Sequence, residues 1–79
     1  MNIIIYKKTG CPWAAAVAAF LKAQEIPYEE RDILKNPEFK KEVEKKSGQS
    51  KSPTLDIDGE ILPDASVEQV HEALQKKRG

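Results

Sequence analysis

The sequence predicts an α/β domain with the element order β-α-β-α-β-β-α. Apolar runs of strand length alternate with stretches of helical periodicity, Asp58-Gly59 joins two short runs through a two-residue hairpin signal, and no linker, repeat or low-complexity segment interrupts the chain. Met1 to Tyr6 (Asn2, Ile3, Ile4, Ile5, Tyr6) reads as a short buried strand, with Thr9-Gly10 as the turn that follows. Pro12 stands at the first helical position, where its missing N–H costs nothing, and this makes Cys11 the N-cap. The helix runs from Pro12 to about Ala23, Ala-rich with Val17, Phe20 and Leu21 at helical spacing. Ile26-Pro27 ends it and begins a second strand, Tyr28 to Ile33. Two parallel strands joined by a helix make a right-handed βαβ unit. Asn36-Pro37-Glu38 is a helix start with a cap, a proline and an early acid, and Ser47-Gly48 is its stop. Phe39 and Val43 face inward, whereas Lys40, Lys41, Glu42, Glu44, Lys45 and Lys46 read as a solvated face. Thr54 to Ile57 and Glu60 to Leu62 form the hairpin. Ser66-Val67-Glu68-Gln69 is a capping box that opens the last helix, with Val67, Val70 and Leu74 on its apolar face.

Composition limits the function. A chain of 79 residues is a single domain, residues 1–79, and a domain of this size buries only about 60% of its unfolded surface. The single cysteine excludes an internal disulfide framework, and with a single histidine it cannot build a zinc site from one chain. The 13 basic and 13 acidic residues cancel, which argues against nucleic acid or an anionic membrane as the main partner. No apolar run approaches membrane length, and the first residues carry no signal-peptide charge pattern. A reactive unpaired thiol suits a reducing compartment, so a cytoplasmic protein is expected; a monomer is expected as well.

Cys11 is the residue on which chemistry is expected to turn. The amides and positive dipole end of the following helix stabilise a thiolate at its N-cap, and Lys7 and Lys8 add positive charge. A lone cysteine is commonly a small buried hydrophobe, but a Cys-Pro-aromatic run between strand and helix reads as a reactive thiol. Trp13, second in the helix, is expected to point outward. Strand alternation lets only one of Lys7 and Lys8 face the site. His71 reads as an exposed helix residue, and Tyr6 and Tyr28 as the edge of the core.

The chain resembles the glutaredoxin branch of the thioredoxin fold through Tyr6, Lys8, Cys11-Pro12-Trp13, Ser47-Gly48-Gln49, Ser52-Pro53 and Asp58-Gly59. The resemblance covers nearly the whole chain and implies a four-stranded mixed sheet flanked by helices. It also implies a cis Ser52-Pro53 bond lying against the active-site sulfur. In the family's dithiol members a second cysteine follows three residues after the first, and here that position is Ala14. The chain therefore looks like a monothiol glutaredoxin in chemistry, although Pro12-Trp13 is closer to the dithiol motif than to the Cys-Gly-Phe-Ser motif of the iron-sulfur carriers. Ala14 is either natural or the replacement of a resolving cysteine in a dithiol protein disulfide reductase fed by thioredoxin reductase.

The resemblance implies glutathione as co-substrate and glutathionylated or disulfide-containing proteins as partners. Its binding residues would be Lys8 and Gln49 for the glycine carboxylate, the backbone of Ser52 before Pro53 for the cysteine unit, and Pro12 and Trp13 beside the thiol. Asp64 and Ser66 would hold the γ-glutamyl end, where the family's Gly-Gly-x-Asp segment is here Pro63-Asp64-Ala65-Ser66. Lowering a thiol's pKa raises its thiolate fraction but lowers its nucleophilicity, with a Brønsted slope of about 0.4–0.5, so these effects nearly cancel. The larger benefit comes when Cys11 departs as a good leaving group. Two other readings are a [2Fe-2S] carrier in which two chains and two glutathiones supply four thiolates, and a thioredoxin-like binding module without turnover.

Overall fold

The computed structural model describes residues 2–78. Its elements are β1 (Ile3–Lys7), α1 (Pro12–Ala23), β2 (Glu29–Asp32), α2 (Pro37–Ser47), β3 (Thr54–Ile57), β4 (Glu60–Leu62) and α3 (Val67–Arg78), in the expected order. The four strands form one mixed sheet in the order β2-β1-β3-β4. β1 pairs in parallel with β2, Ile4 opposite Glu29 and Lys7 opposite Asp32, and antiparallel with β3, Ile3 opposite Ile57 and Tyr6 opposite Thr54. β3 returns as β4 through Asp58 and Gly59, whose φ values of 51° and 92° are the paired left-handed residues of a type I′ hairpin. The fold is thioredoxin-like.

The apolar run of β1 is buried on both faces because helices cover both. On one face Ile3 and Ile5 join Leu55 and Ile57 of β3 and meet Val17 and Leu21 of α1 and Val70, Ala73 and Leu74 of α3. On the other, Ile4 and Tyr6 meet Ile33 and Val43, with Phe39 packed against them. Period-two alternation along β1 thus divides its residues between the two clusters, and each fully buried Val, Leu or Ile contributes about 1.5–3 kcal/mol.

The helix ends follow local chemistry. Asn36 Oδ1 accepts the Glu38 N–H at 3.0 Å, and Ser66 and Gln69 form the expected reciprocal box, at 2.9 and 3.2 Å. α1 ends differently from a plain proline stop. Glu25 takes a left-handed conformation at φ 57°, the Ile26 N–H reaches the Leu21 carbonyl at 3.0 Å and the Glu25 N–H reaches Lys22 at 3.0 Å. These are the bonds of a Schellman motif, closed by a non-glycine residue and by apolar Ile26 and Leu21.

Several expectations change. β1 reaches Lys7, and Met1 lies outside the described residues. β2 is shorter than Tyr28–Ile33, because the Asp32 carboxylate captures the amides of Leu34 and Lys35 and turns the chain away. Tyr6 is no edge residue but is 0% exposed. Its hydroxyl donates to Glu42 and accepts from Lys46 at 2.8 Å, Arg31 also binds Glu42, and Lys46 binds Asp56 at 2.8 Å. Glu42 and Lys46 therefore belong to a polar network that clamps α2 onto the sheet, rather than to a solvated face. His71 is exposed, as expected, and its ring meets Phe20 edge-on at 5.6 Å.

Candidate active site

Cys11 stands where β1 gives way to α1. Lys8 to Cys11 form a tight turn in which the Cys11 N–H donates to the Lys8 carbonyl at 3.1 Å, and Gly10 supplies the left-handed third residue at φ 86°. Cys11 is the N-cap, with extended backbone (φ −79°, ψ 114°) and Pro12 next, as the sequence predicts. Its sulfur, however, makes no capping hydrogen bond to a helix amide. Sγ lies instead 3.7 Å from the Ser52 carbonyl oxygen. The Ser52-Pro53 bond is cis.

Ser52 is held in turn by the strand that leads to the cysteine. Its Oγ accepts the Lys8 backbone N–H at 3.0 Å, which leaves the hydroxyl proton to turn toward sulfur. A second tie runs to the neighbouring strand, where Thr9 Oγ1 donates to Asp32 Oδ2. That hydroxyl is the main reason the Asp32 carboxyl lies below the usual carboxylate range. Pro53 is buried, and its carbonyl accepts the Ala65 N–H at 2.9 Å, which joins the proline turn to the loop before α3.

Burial is the largest single influence on the Cys11 thiol and opposes ionisation. The Ser52 hydroxyl, the amides of Ala14 and Trp13 and the Lys8 ammonium together outweigh it, so the thiol lies below its ordinary value. The amides act as nearby dipoles, because none meets sulfur in hydrogen-bonding geometry. The lysines and helix start were legible in the sequence. The Ser52 hydroxyl was not: the resemblance set the Ser52-Pro53 backbone against the sulfur, and the part of the side chain depends on the fold.

Two hollows flank this turn. One, of about 250 Å³, is lined by Lys7, Lys8, Cys11, Ala14 and Glu30 among others. Both lysines reach it, against the expectation of one, because the strand alternation stops at Lys7. Lys7 is paired with Glu30 at 3.1 Å. The other hollow, of about 350 Å³, lies between Trp13 and Asp64, Ala65 and Ser66. Trp13 is 66% exposed and points outward, as expected. A larger groove of about 640 Å³ lies at the far end of α1 between Lys22 and Tyr28, but no thiol lines it.

The fold thus gathers Lys8, Pro12 and Ser52 around the Cys11 sulfur, with Pro53 following Ser52 in the chain and Trp13, Asp64 and Ser66 along the adjoining hollow. Gln49 is engaged elsewhere: its Nε2 donates to Ser47 Oγ at 2.7 Å and Thr54 Oγ1 at 3.1 Å. The Ser66 N–H and hydroxyl are both used in the capping box.

An uncharacterised glutaredoxin-like 8.6 kDa protein in the rubredoxin operon of Clostridium pasteurianum is 26% identical over 74 residues, 94% of this chain and 99% of that one. The crystal structure of the thioredoxin-like protein BC3987 matches with a TM-score of 0.82 at 28% identity, over 89% of this chain and 96% of that chain. A glutathione S-transferase from Drosophila melanogaster matches 98% of this chain with 35% of its own, at 32% identity and a TM-score of 0.69. The family model for Glutaredoxin matches residues 3–62. With a family model that matches most of its length and a shared fold that supports thiol-disulfide oxidoreductase-type chemistry, the chain belongs to the glutaredoxin family.

Proposed function

We propose that this protein is a glutathione-dependent thiol-disulfide oxidoreductase that works by a monothiol cycle. One observation carries the reading: the sole cysteine stands at the start of α1 in a turn where the Ser52 hydroxyl and the Lys8 ammonium favour its thiolate. In the first step the Cys11 thiolate attacks the glutathione sulfur of a mixed disulfide. The Cys11–glutathione disulfide forms and the substrate thiolate leaves. In the second, a glutathione thiolate attacks the glutathione sulfur of that disulfide, oxidised glutathione departs, and Cys11 returns as a thiolate. No proton or electron is left over, and the groups that stabilise Cys11 as a thiolate also make it a good leaving group.

Glutathione is supported by the charges available. Lys8 offers an ammonium to a carboxylate, and Asp64 offers a carboxylate to the γ-glutamyl ammonium along the hollow that Trp13 walls. The match to part of a glutathione S-transferase supports the same ligand. Turnover should be measured on a small glutathionylated disulfide with glutathione, glutathione reductase and NADPH, alongside mass spectrometry of the intact chain. NADPH oxidation that saturates with glutathione, a glutathione adduct on Cys11, and loss of both in Cys11→Ser are expected. If Cys11 reacts with the disulfide but turnover does not depend on glutathione, the glutathione assignment fails.

A second reading is favoured by the internal use of Gln49 and Ser66, which leaves fewer groups for a tripeptide. In that reading Cys11 exchanges directly with protein disulfides and another thiol donor regenerates it. Turnover with a dithiol in place of glutathione at equal efficiency would select it.

A further inference from the structure

The side chain of Gln49 makes a set of contacts that the thiol cycle does not require. α2 ends at Gly48, which is left-handed at φ 73° and donates to the Glu44 carbonyl at 2.7 Å. The chain then turns through residues 49–53 to reach β3, and this turn is tied from within. Gln49 Nε2 has two hydrogens, and both are used, on Ser47 Oγ at 2.7 Å and Thr54 Oγ1 at 3.1 Å. Its Oε1 accepts the Lys51 N–H at 2.5 Å. Thr54 Oγ1, in a residue 0% exposed, donates to the Lys51 carbonyl at 2.7 Å. Both backbone polar groups of Lys51 are therefore held in one network whose centre is the Gln49 amide. The next residue is Ser52, whose carbonyl lies 3.7 Å from Cys11 Sγ and whose hydroxyl accepts the Lys8 N–H.

We propose that Gln49 is a positioning residue, which fixes the Lys51–Pro53 turn and so sets Ser52 against Cys11 Sγ, and that it is not a ligand for an incoming carboxylate. A ligand role would need a free amide hydrogen, and each of the two already has an oxygen partner of good length. Moving one to a carboxylate would leave a hydroxyl oxygen at the α2 end or in fully buried Thr54 without its donor, and an unmet buried polar group is costly. A positioning role needs only the contacts already made. The sequence placed Gln49 beside glutathione through the family pattern; its neighbours Ser47 and Thr54 carry a different assignment here.

The test is the pH dependence of Cys11 alkylation by iodoacetamide in Gln49→Met, which keeps length and volume but has no donor, and in Thr54→Val, which removes the other end of the same bond. Thr54 is buried, so it cannot serve as a ligand. Both variants should move the alkylation midpoint toward that of an ordinary thiol, by about threefold to tenfold in ionisation constant, because the turn also carries the Ser52 hydroxyl that favours the thiolate, and displacing a hydrogen-bonding partner of a charged group has about that effect. The double variant should shift no further than the larger single shift, because the two residues share one network. Far-ultraviolet circular dichroism confirms folding, and if Gln49→Met does not fold, Thr54→Val alone decides the case. An unchanged midpoint in folded Thr54→Val overturns the proposal. So does an unchanged midpoint in Gln49→Met with a raised KM for glutathione, which is the signature of a ligand. Alkylation involves no glutathione, so this result stands apart from the outcome of the turnover experiment.

Discussion

Replacing Ser52 by alanine should act on the reactive sulfur in two opposite ways. The Ser52 hydroxyl accepts the Lys8 N–H at 3.0 Å, which leaves its own proton free to turn toward Cys11, and it favours the thiolate there. A hydrogen bond to a charged group contributes about 1.5–3 kcal/mol when buried; for a part-buried sulfur about 1 kcal/mol is the fitting size. At that size Ser52→Ala lowers the ionisation constant of Cys11 about fivefold, and the alkylation profile moves to higher pH. The thiolate that then forms is more basic and more nucleophilic, so at a Brønsted slope of about 0.4–0.5 the plateau rate at high pH rises about twofold. Stopped-flow alkylation with iodoacetamide across the pH range reads both numbers from one curve. Ser52→Thr, which keeps a hydroxyl, should restore the original midpoint. The Lys8 amide loses its acceptor in the alanine variant, so stability should fall by roughly 1 kcal/mol, or about 4–8 °C in Tm. A midpoint that does not move in a folded Ser52→Ala variant would refute the role given to this hydroxyl. A shifted midpoint with a lowered plateau would show that access, not charge stabilisation, had changed.

Three further outcomes are expected. Ala14 is 2% exposed in the first turn of α1, on the hollow beside Cys11; Ala14→Cys should let the two thiols close a disulfide and confer reduction of protein disulfides, while the present chain accumulates as a mixed disulfide with glutathione. Equal protein-disulfide reductase activity in both would show that position 14 has no resolving role. Glu42 is held below the usual carboxylate range, first by the Tyr6 hydroxyl and then, against burial, by Arg31 and Lys46. A depressed folded pKa contributes stability above the unfolded value, about 4, that is lost as pH falls through the folded one; Glu42→Gln should therefore flatten the fall in urea midpoint below about pH 4, and an unchanged fall would show that other carboxyls cause it. Glu25 closes α1 in a left-handed conformation without glycine, so Glu25→Gly should raise stability by about 0.5–1 kcal/mol in thermal unfolding, and a loss would mean that its side chain has contacts that outweigh the backbone relief.

Much of this fold was legible because its signals are local. Pro12, Pro37 and the Ser66–Gln69 box mark helix starts through backbone amides within one turn, and Asp58-Gly59 fixes a hairpin through two φ angles. These depend on neighbours in sequence, so the chain alone determines them. Cys11 was legible for the same reason, since a proline and an aromatic after an apolar strand place a thiol at a helix start. The uninterrupted apolar run of β1 also marked a buried strand, though not which helices would cover it.

What the sequence could not determine depends on side chains brought together across the chain. Tyr6 and Glu42 are 36 positions apart, and a lysine-rich helix face looks solvated until β1 and β3 present a hydroxyl and a carboxylate to it. Ser52 and Lys8 are 44 apart, and nothing near Ser52 in the chain shows that its hydroxyl meets the Lys8 amide at the end of β1. Gln49 looked like a ligand because its type and position suited one; only its contacts with Ser47 and Thr54 show that its hydrogens are already used. Turn and cap chemistry is set by the order of residues, so the sequence by itself determined the order of the elements and the place of the thiol. The environment of that nucleophile is set by distances between elements, and only the tertiary structure decided it.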